Sequence, residues 1–407
     1  MRKFIFLLLV LFSFTKASHA HYFSESYSNW SIIDNKVSAT FTILKLEATR
    51  VLQIDSFQEL GKEKELSEGE VFLEYFKSRI SVLNSGNQCT LKKQATLVDG
   101  KKEYHTIEFM YLCDATDSIK IINNVLFDIA QSHVHLSRIK KDNKIFEKAL
   151  FYNDQTILLD NIDQDEEKSF FSNLSSFIYS GIIHILTGLD HLIFLIGLFI
   201  LVNNFKHLLL VITGFTVGHS ITLALVALDI VMPNTLMIEA LIGFTIIFIA
   251  AEYMIKDSKL SNRIVSVLVS ILVLIGLSSL VLEIPISLIT SFALILITIG
   301  YFGIIKSIKN YGMFRIIITS LFGLIHGFGF GVFLFNSEFN QSNVLSALFG
   351  FNIGVEIGQI ILLLVLIGLS SFFLKVLNSE KYEYLLKYSM VLVSSMGFYW
   401  FIQRLYF

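Results

Sequence analysis

Cysteine and proline are almost missing from these 407 residues, with two of each. Without a CxxC pair there is no redox dithiol and no zinc knuckle. Charge is scarce too: 16% of residues are charged against 54% hydrophobic, and the formal net charge of -2 offers nothing to a polyanion, so no nucleic-acid partner is expected. No Walker loop, no His-Glu-x-x-His and no Gly-x-Ser-x-Gly elbow occurs, which sets aside nucleotide-driven transport, zincin proteolysis and serine hydrolysis. A chain this long and this apolar is not one soluble domain.

What is present begins with a secretory pattern. Arg2-Lys3, an apolar run from Phe4 to Phe14 and the small-x-small site Ser18-His19-Ala20 predict a signal peptide over 1–20, with the mature chain starting at His21 outside the cytoplasm. From 21 to 160 the pattern is strand-like: Val37, Ala39, Phe41 and Ile43 alternate with Ser38, Thr40 and Thr42. The runs 51–54, 90–98, 104–112, 119–128 and 133–138 continue it, and Glu65–Asn84 reads as a helix. Together they predict an extracytoplasmic β-rich domain, sandwich-like. Cys89 and Cys113 flank two of these runs, joined by the turn Asp99-Gly100-Lys101-Lys102; Val98 opposite Tyr104 would place the cysteines opposite one another, a cross-strand disulfide. An acidic linker over 161–174 follows, opened by Asp160, Asp163, Asp165, Glu166 and Glu167.

From 175 to 407 the chain reads as a polytopic α-helical bundle of seven or eight transmembrane helices, near 178–202, 208–228, 235–255, 264–282, 286–305, 315–336, 343–374 and 386–404. Glu283-Ile284-Pro285, a turn or a kink, leaves the count open. Lys206, Lys256, Lys259, Arg263, Lys306, Lys309, Arg315, Lys375, Lys381 and Lys387 fall in alternate connections, whereas 229–234, 283–285 and 336–341 have no lysine or arginine. That asymmetry predicts an inner-membrane protein with its N-terminal domain in the periplasm.

Ionisable groups within such helices are expensive and mark sites or pathways. His184, Asp190 and His191 share the first span. Seven residues of regular helix separate the histidines by about 10.5 Å, too far for one metal with nitrogens at about 2.0–2.1 Å. Either the helix loosens at Thr187-Gly188 or the two serve successive sites; Asp190 would orient His191 or donate an oxygen. The second span adds His219 beside Ser220 and Thr222. The sixth places His326 among Gly323, Gly327 and Gly331, a close-packing pattern. The seventh carries Asn352, Glu356 and Gln359 as one polar stripe. His184, Asp190, His191, His219, His326, Asn352 and Glu356 are the metal-binding candidates, and Ser220, Thr222, Glu239, Gln359, His21, His133 and His135 a second tier, with Glu252 ranked beside Glu239. Nitrogen and oxygen donors without thiolate suit nickel, cobalt or zinc better than Cu(I). Outside, His21 with its amine, and His133-Val134-His135 on one strand face, could capture a metal.

The His184-x5-Asp190-His191 pattern with Phe194-Leu195, the Gly-Leu-Ile-His326-Gly-Phe-Gly-Phe run, Gly-His219-Ser-Ile-Thr-Leu and Gly350-Phe-Asn352-Ile-Gly-Val-Glu356-Ile-Gly-Gln359 resemble the HupE/UreJ family of hydrogenase/urease accessory nickel permeases, in its longer branch with an extracytoplasmic domain. The resemblance covers about 178–375. It implies a metal permease using His184, Asp190 and His191, with metalloenzyme-maturation proteins as partners. The chain departs from the short permeases, whose second signature has two histidines, in offering only His326 there. The leading reading is a divalent-metal permease in the lipid bilayer, the ion being its substrate and no prosthetic group being required; it is not read as an enzyme. The competing readings are an intramembrane metal-dependent hydrolase with Asp190 or Glu356 activating water, a haem carrier ligated by His219 and His326, and an accessory factor for metalloenzyme assembly.

Overall fold

The computed structural model describes residues 24–406 apart from 53, 55–56, 59–60, 62–65, 100–103, 117, 131–132, 142–143, 160–165, 256–260, 306–310 and 337–340. The expected leader at 1–20, His21, the acidic Asp160, Asp163 and Asp165, and the loop cations Lys256, Lys259, Lys306 and Lys309 lie outside the described residues.

The N-terminal domain is β-rich. Strands β1 (Glu25–Ile33), β2 (Lys36–Leu44), β3 (Ile80–Asn84), β4 (Asn87–Gln88), β5 (Thr90–Asp99), β6 (Tyr104–Leu112), β7 (Ile119–Asn123), β8 (Val134–Lys141), β9 (Lys144–Leu150) and β10 (Thr156–Leu158) form two sheets, ordered β5-β6-β2-β1-β8-β9 and β10-β7-β3-β4. Among the described residues β1 and β8 pair in parallel and the other strand pairs are antiparallel. Residues of both sheets, among them Val37, Phe41, Val82, Phe109, Ile121 and Ile139, share one apolar core.

Four local expectations change. The run 51–54 is no strand: helix α1 (Lys45–Val51) ends there, with Glu47 in its first turn and Arg50 in its last, as the helix dipole favours. Glu65–Asn84 divides into helix α2 (Glu68–Arg79), started by a capping box in which the Ser67 amide donates to Glu70 at 2.8 Å, and strand β3, where Ile80 and Val82 enter the core. Strand β7 stops at Asn123, whose side chain accepts the Val125 amide at 3.0 Å and turns the chain. Thr90 does oppose Leu112, but bulges between Leu91 and Thr96 shift the far end so that Val98 opposes Thr106 and not Tyr104. The cysteine end keeps the expected register, and Cys89–Cys113 is a disulfide.

His133 and His135 face inward, not to the surface. Ser24, Ser26, Ser28, Ser137 and both rings form a buried ladder between the parallel strands β1 and β8. Its proton order is forced. Ser24 donates to Glu47 (2.9 Å), so it accepts from His133 Nδ1 (2.8 Å); Nε2 of that ring then accepts from Ser26 (2.9 Å). Ser26 in turn accepts from His135 Nδ1 (2.6 Å), and His135 Nε2 accepts from Ser28 (2.7 Å), which itself accepts from Trp30 (2.7 Å) and Ser137 (3.0 Å). Every nitrogen is used, so neither ring is a metal ligand in this arrangement.

Burial pushes His133 down to about 3, and burial with the neighbouring His133 pushes His135 well below the usual histidine value. The folded domain therefore keeps both rings neutral at pH values where the unfolded chain binds protons. Their contribution to stability is complete above about pH 6.5 and is lost as the pH falls towards 3. Glu47, raised by burial, works in the opposite sense above its ordinary value near 4.5, one group against two. Protection of β1 and β8 amides, corrected for intrinsic exchange, is expected to fall by about tenfold or more between pH 7 and 5; an unchanged value would contradict the neutral ladder.

The C-terminal region is helical: α3 (Glu166–Thr187), α4 (Leu189–Leu201), α5 (Phe205–Ala227), α6 (Thr235–Ile255), α7 (Ser261–Ser278), α8 (Leu288–Ile304), α9 (Tyr311–Asn336), α10 (Gln341–Val376) and α11 (Ser379–Tyr406). Among the described residues, five helices are long and apolar enough to cross a membrane, drawn from α5, α6, α9, α10 and α11; α3 with α4, bent by 71°, makes a sixth if counted as one broken span. Seven or eight is not confirmed among the described residues, where α7 and α8 are shorter apolar helices. Val281 and Leu282 leave the helix before Pro285, and Ser287 restarts it by accepting the Thr290 amide at 3.1 Å. Glu283-Ile284-Pro285 is thus a turn.

Three helix pairs meet backbone to backbone at glycines. A Cβ at Gly354 would strike the Ile178 carbonyl (α10 on α3), one at Gly218 the Ser320 carbonyl and one at Gly323 the Phe215 carbonyl (α5 on α9), and one at Gly243 the Phe401 amide (α6 on α11). Two ion pairs, one buried and one partly buried, also tie helices together. Glu252 accepts from Arg315 Nη2 at 2.6 Å and from the Tyr301 hydroxyl at 2.6 Å, and Glu239 lies 3.3 Å from Arg404 Nε. Arg315, which the sequence placed among the loop cations, is buried.

Candidate metal centre

Gly188 creates the site. Helix α3 ends at Thr187, whose hydroxyl donates to the Ile183 carbonyl at 2.7 Å, and α4 starts with Gly188 as its N-cap. A Cβ at Gly188 would meet the His184 carbonyl at 2.7 Å and the His191 ring at 3.0 Å, so the bend needs glycine. It folds His184 and His191 together, ring centroids 4.6 Å apart. The loosened helix, one of the two alternatives the spacing left open, is what the chain adopts.

His219 of α5 completes the group: one ligand atom from each of His184, His191 and His219 lies within 4.8 Å of the others. His326 of α9 stands beside them, its ring 5.2 Å from that of His191. The rings run His219, His184, His191, His326 at successive separations of 6.5, 4.6 and 5.2 Å. Phe194, Phe215 and Phe351 pack around them.

Three of these imidazoles have one nitrogen engaged by a partner that fixes the tautomer. Asp190 Oδ1 lies 2.9 Å from His191 Nδ1 and also accepts the His191 amide at 2.9 Å. A carboxylate can only accept, so Nδ1 carries the proton and Nε2 is bare. Asn352 Nδ2 donates to the Leu348 carbonyl at 2.7 Å, which leaves Oδ1 to face His219 Nδ1 at 3.3 Å. Thr245 donates to the Ile242 carbonyl at 2.7 Å, so at 3.0 Å it accepts from His326 Nε2. His191 Nε2, His219 Nε2 and His326 Nδ1 are buried with no hydrogen-bond partner, each a desolvated lone pair.

The other candidates do different things. Glu356 accepts from Thr213 at 2.6 Å and Gln359 from Thr216 at 3.0 Å, so the polar stripe of α10 faces α5. Asn352 and Glu356 line a groove of about 520 Å³ between these helices, together with Thr213, Thr216 and Ser220. Ser220 and Thr222 donate to carbonyls of their own helix. Glu239 and Glu252 are held in their arginine pairs. Thr245 is the residue the sequence reading missed.

A family model described as HupE / UreJ protein matches residues 161–292 and 264–404. The chain belongs to the HupE/UreJ family. The matched segments cover more than half of the chain and contain His184, Asp190, His191, His219, His326, Asn352 and Glu356. Comparison with curated proteins finds no match. Membership of HupE/UreJ, with the apolar helices, makes this a membrane protein with a metal-related permease or accessory role.

Proposed function

We propose that the protein is a permease for a divalent transition-metal ion, nickel first with cobalt and zinc as alternatives, and that the ion is bound by His184, His191 and His219. The observation that carries this reading is one ligand nitrogen from each of the three rings within 4.8 Å of the others, in a group where His191 Nε2 and His219 Nε2 are bare and buried at tautomers set by Asp190 and Asn352. Such a set matches borderline divalent ions, and a carboxylate on the far nitrogen raises the basicity of the ligating one. His326 is the fourth donor, placed to receive the ion next. In this reading residues 1–20 are a removed leader, the β-rich domain faces the periplasm, and the helices lie in the inner membrane.

The other readings fit less well. Asp190 Oδ1 is taken up by His191 and Glu356 Oε1 by Thr213; Glu356 Oε2 is buried and unengaged, but Glu356 lines the α5–α10 groove and is not one of the clustered ligands. The rings of His184 and His191 occupy the interval between His219 and His326, which leaves no slot for a porphyrin. An assembly factor that binds the ion without moving it is the reading the decisive experiment separates. Purified protein in liposomes is expected to give saturable nickel uptake, and Asp190→Asn to weaken ion affinity by about 10–100-fold. Bound nickel with no flux would favour the assembly factor; no binding of nickel, cobalt or zinc would end the metal reading.

A further inference from the structure

The histidine partners expose a repeat in the chain. His326 lies 107 residues after His219, and Asn352 lies 107 residues after Thr245. At the same offset Phe215 matches Phe322, and Ala240, Leu241, Gly243, Phe244 and Ile246 of α6 match Ala347, Leu348, Gly350, Phe351 and Ile353 of α10. The hydrogen bonds cross between the copies: His219 of the first is held by Asn352 of the second, and His326 of the second by Thr245 of the first. Glycine packing is duplicated as well, Gly243 lying against Phe401 and Gly350 against Leu174.

Two facts argue that the crossed bonds serve the rings. Thr245 already gives its proton to the Ile242 carbonyl, so its helix satisfies it and its remaining capacity is that of an acceptor. Each held ring has its second nitrogen buried and bare, an arrangement that is unfavourable for packing alone and useful to an ion.

We propose that Thr245 and Asn352 are equivalent positioning residues, each fixing the tautomer of the other copy's histidine so that a bare nitrogen faces the cluster; this rests on the ion-binding reading above. His326 is thereby the duplicate of an ion ligand, prepared by a hydroxyl where His219 is prepared by an amide. The copies differ where Glu356 stands at the position of Ile249, so the groove carboxylate belongs to one half only.

The test uses the full chain, labelled with ¹⁵N-histidine, in lipid nanodiscs without metal, followed by titration with nickel chloride. Wild type is expected to show His326 as the single Nε2–H tautomer. Thr245→Val should lose that signature and weaken nickel binding by about 10–100-fold. Thr245→Ser, and Thr245→Asn, which copies the other repeat, should retain both. Thr245→Ala serves if the valine variant does not fold. A His326 that keeps its Nε2–H tautomer in Thr245→Val or Thr245→Ala overturns the proposal. If the tautomers follow this series but wild type binds no nickel, the positioning role stands and the ion reading fails.

Discussion

Arg315→Leu is expected to destabilise the protein by about 3–5 kcal/mol, because it strands the Glu252 carboxylate among α6, α8 and α9. Glu252 is 5% exposed and takes Arg315 Nη2 at 2.6 Å and Nε at 3.1 Å on one oxygen. Its other oxygen receives the Tyr301 hydroxyl. Removing the cation leaves the carboxylate buried in an apolar interior without its arginine. Removing both charges, in Arg315→Leu with Glu252→Leu, removes the mutual attraction and both desolvation penalties, and is expected to recover most of the loss. Unfolding in detergent, measured on the two single variants and the double, decides the point. A double variant as unstable as Arg315→Leu would mean that the pair contributes through packing and not charge.

Gly323→Val is the second large effect. Its side chain would occupy the position of the Phe215 carbonyl, and Gly218 meets Ser320 in the same way from the opposite helix. No rotamer change relieves a clash with main chain, so α5 and α9 must separate, at a cost above the usual range of about 1–3 kcal/mol for overpacking. The same separation pulls His219 from His184, so ion binding should be lost along with thermal stability. Gly368→Ala is the control: nothing lies within 4 Å of a Cβ there, and the gain in helix propensity makes it neutral or slightly stabilising. Equal behaviour of the two variants would contradict the close seam.

The sequence made the β-rich domain, the disulfide and the four membrane histidines legible, for one reason. Alternation, register and the expense of a polar group among apolar neighbours are all local signals. Neighbours across the fold are not. His133 and His135 share a strand face, as the spacing required, but nothing local said that this face turns inward onto serines of β1. Glu252 and Arg315 lie 63 positions apart, and each taken alone resembles an interfacial charge. Thr245 is invisible as a threonine in an apolar helix; only comparison at an offset of 107 residues sets it beside Asn352. The short α7 and α8 show the limit of hydropathy, which registers apolar residues whether or not they continue a helix.

The break at Gly188 also has an electrical side. Two half-helices meet there within the apolar region, so the negative end of the α3 dipole and the positive end of the α4 dipole both face the histidines. Asp190, in the first turn of α4, more than offsets the positive end, about half a charge, and adds to the negative end of α3. A cation coordinated by the neutral imidazoles would meet, beyond these partial charges, one carboxylate already shared with His191, so the site would bring little full negative charge of its own.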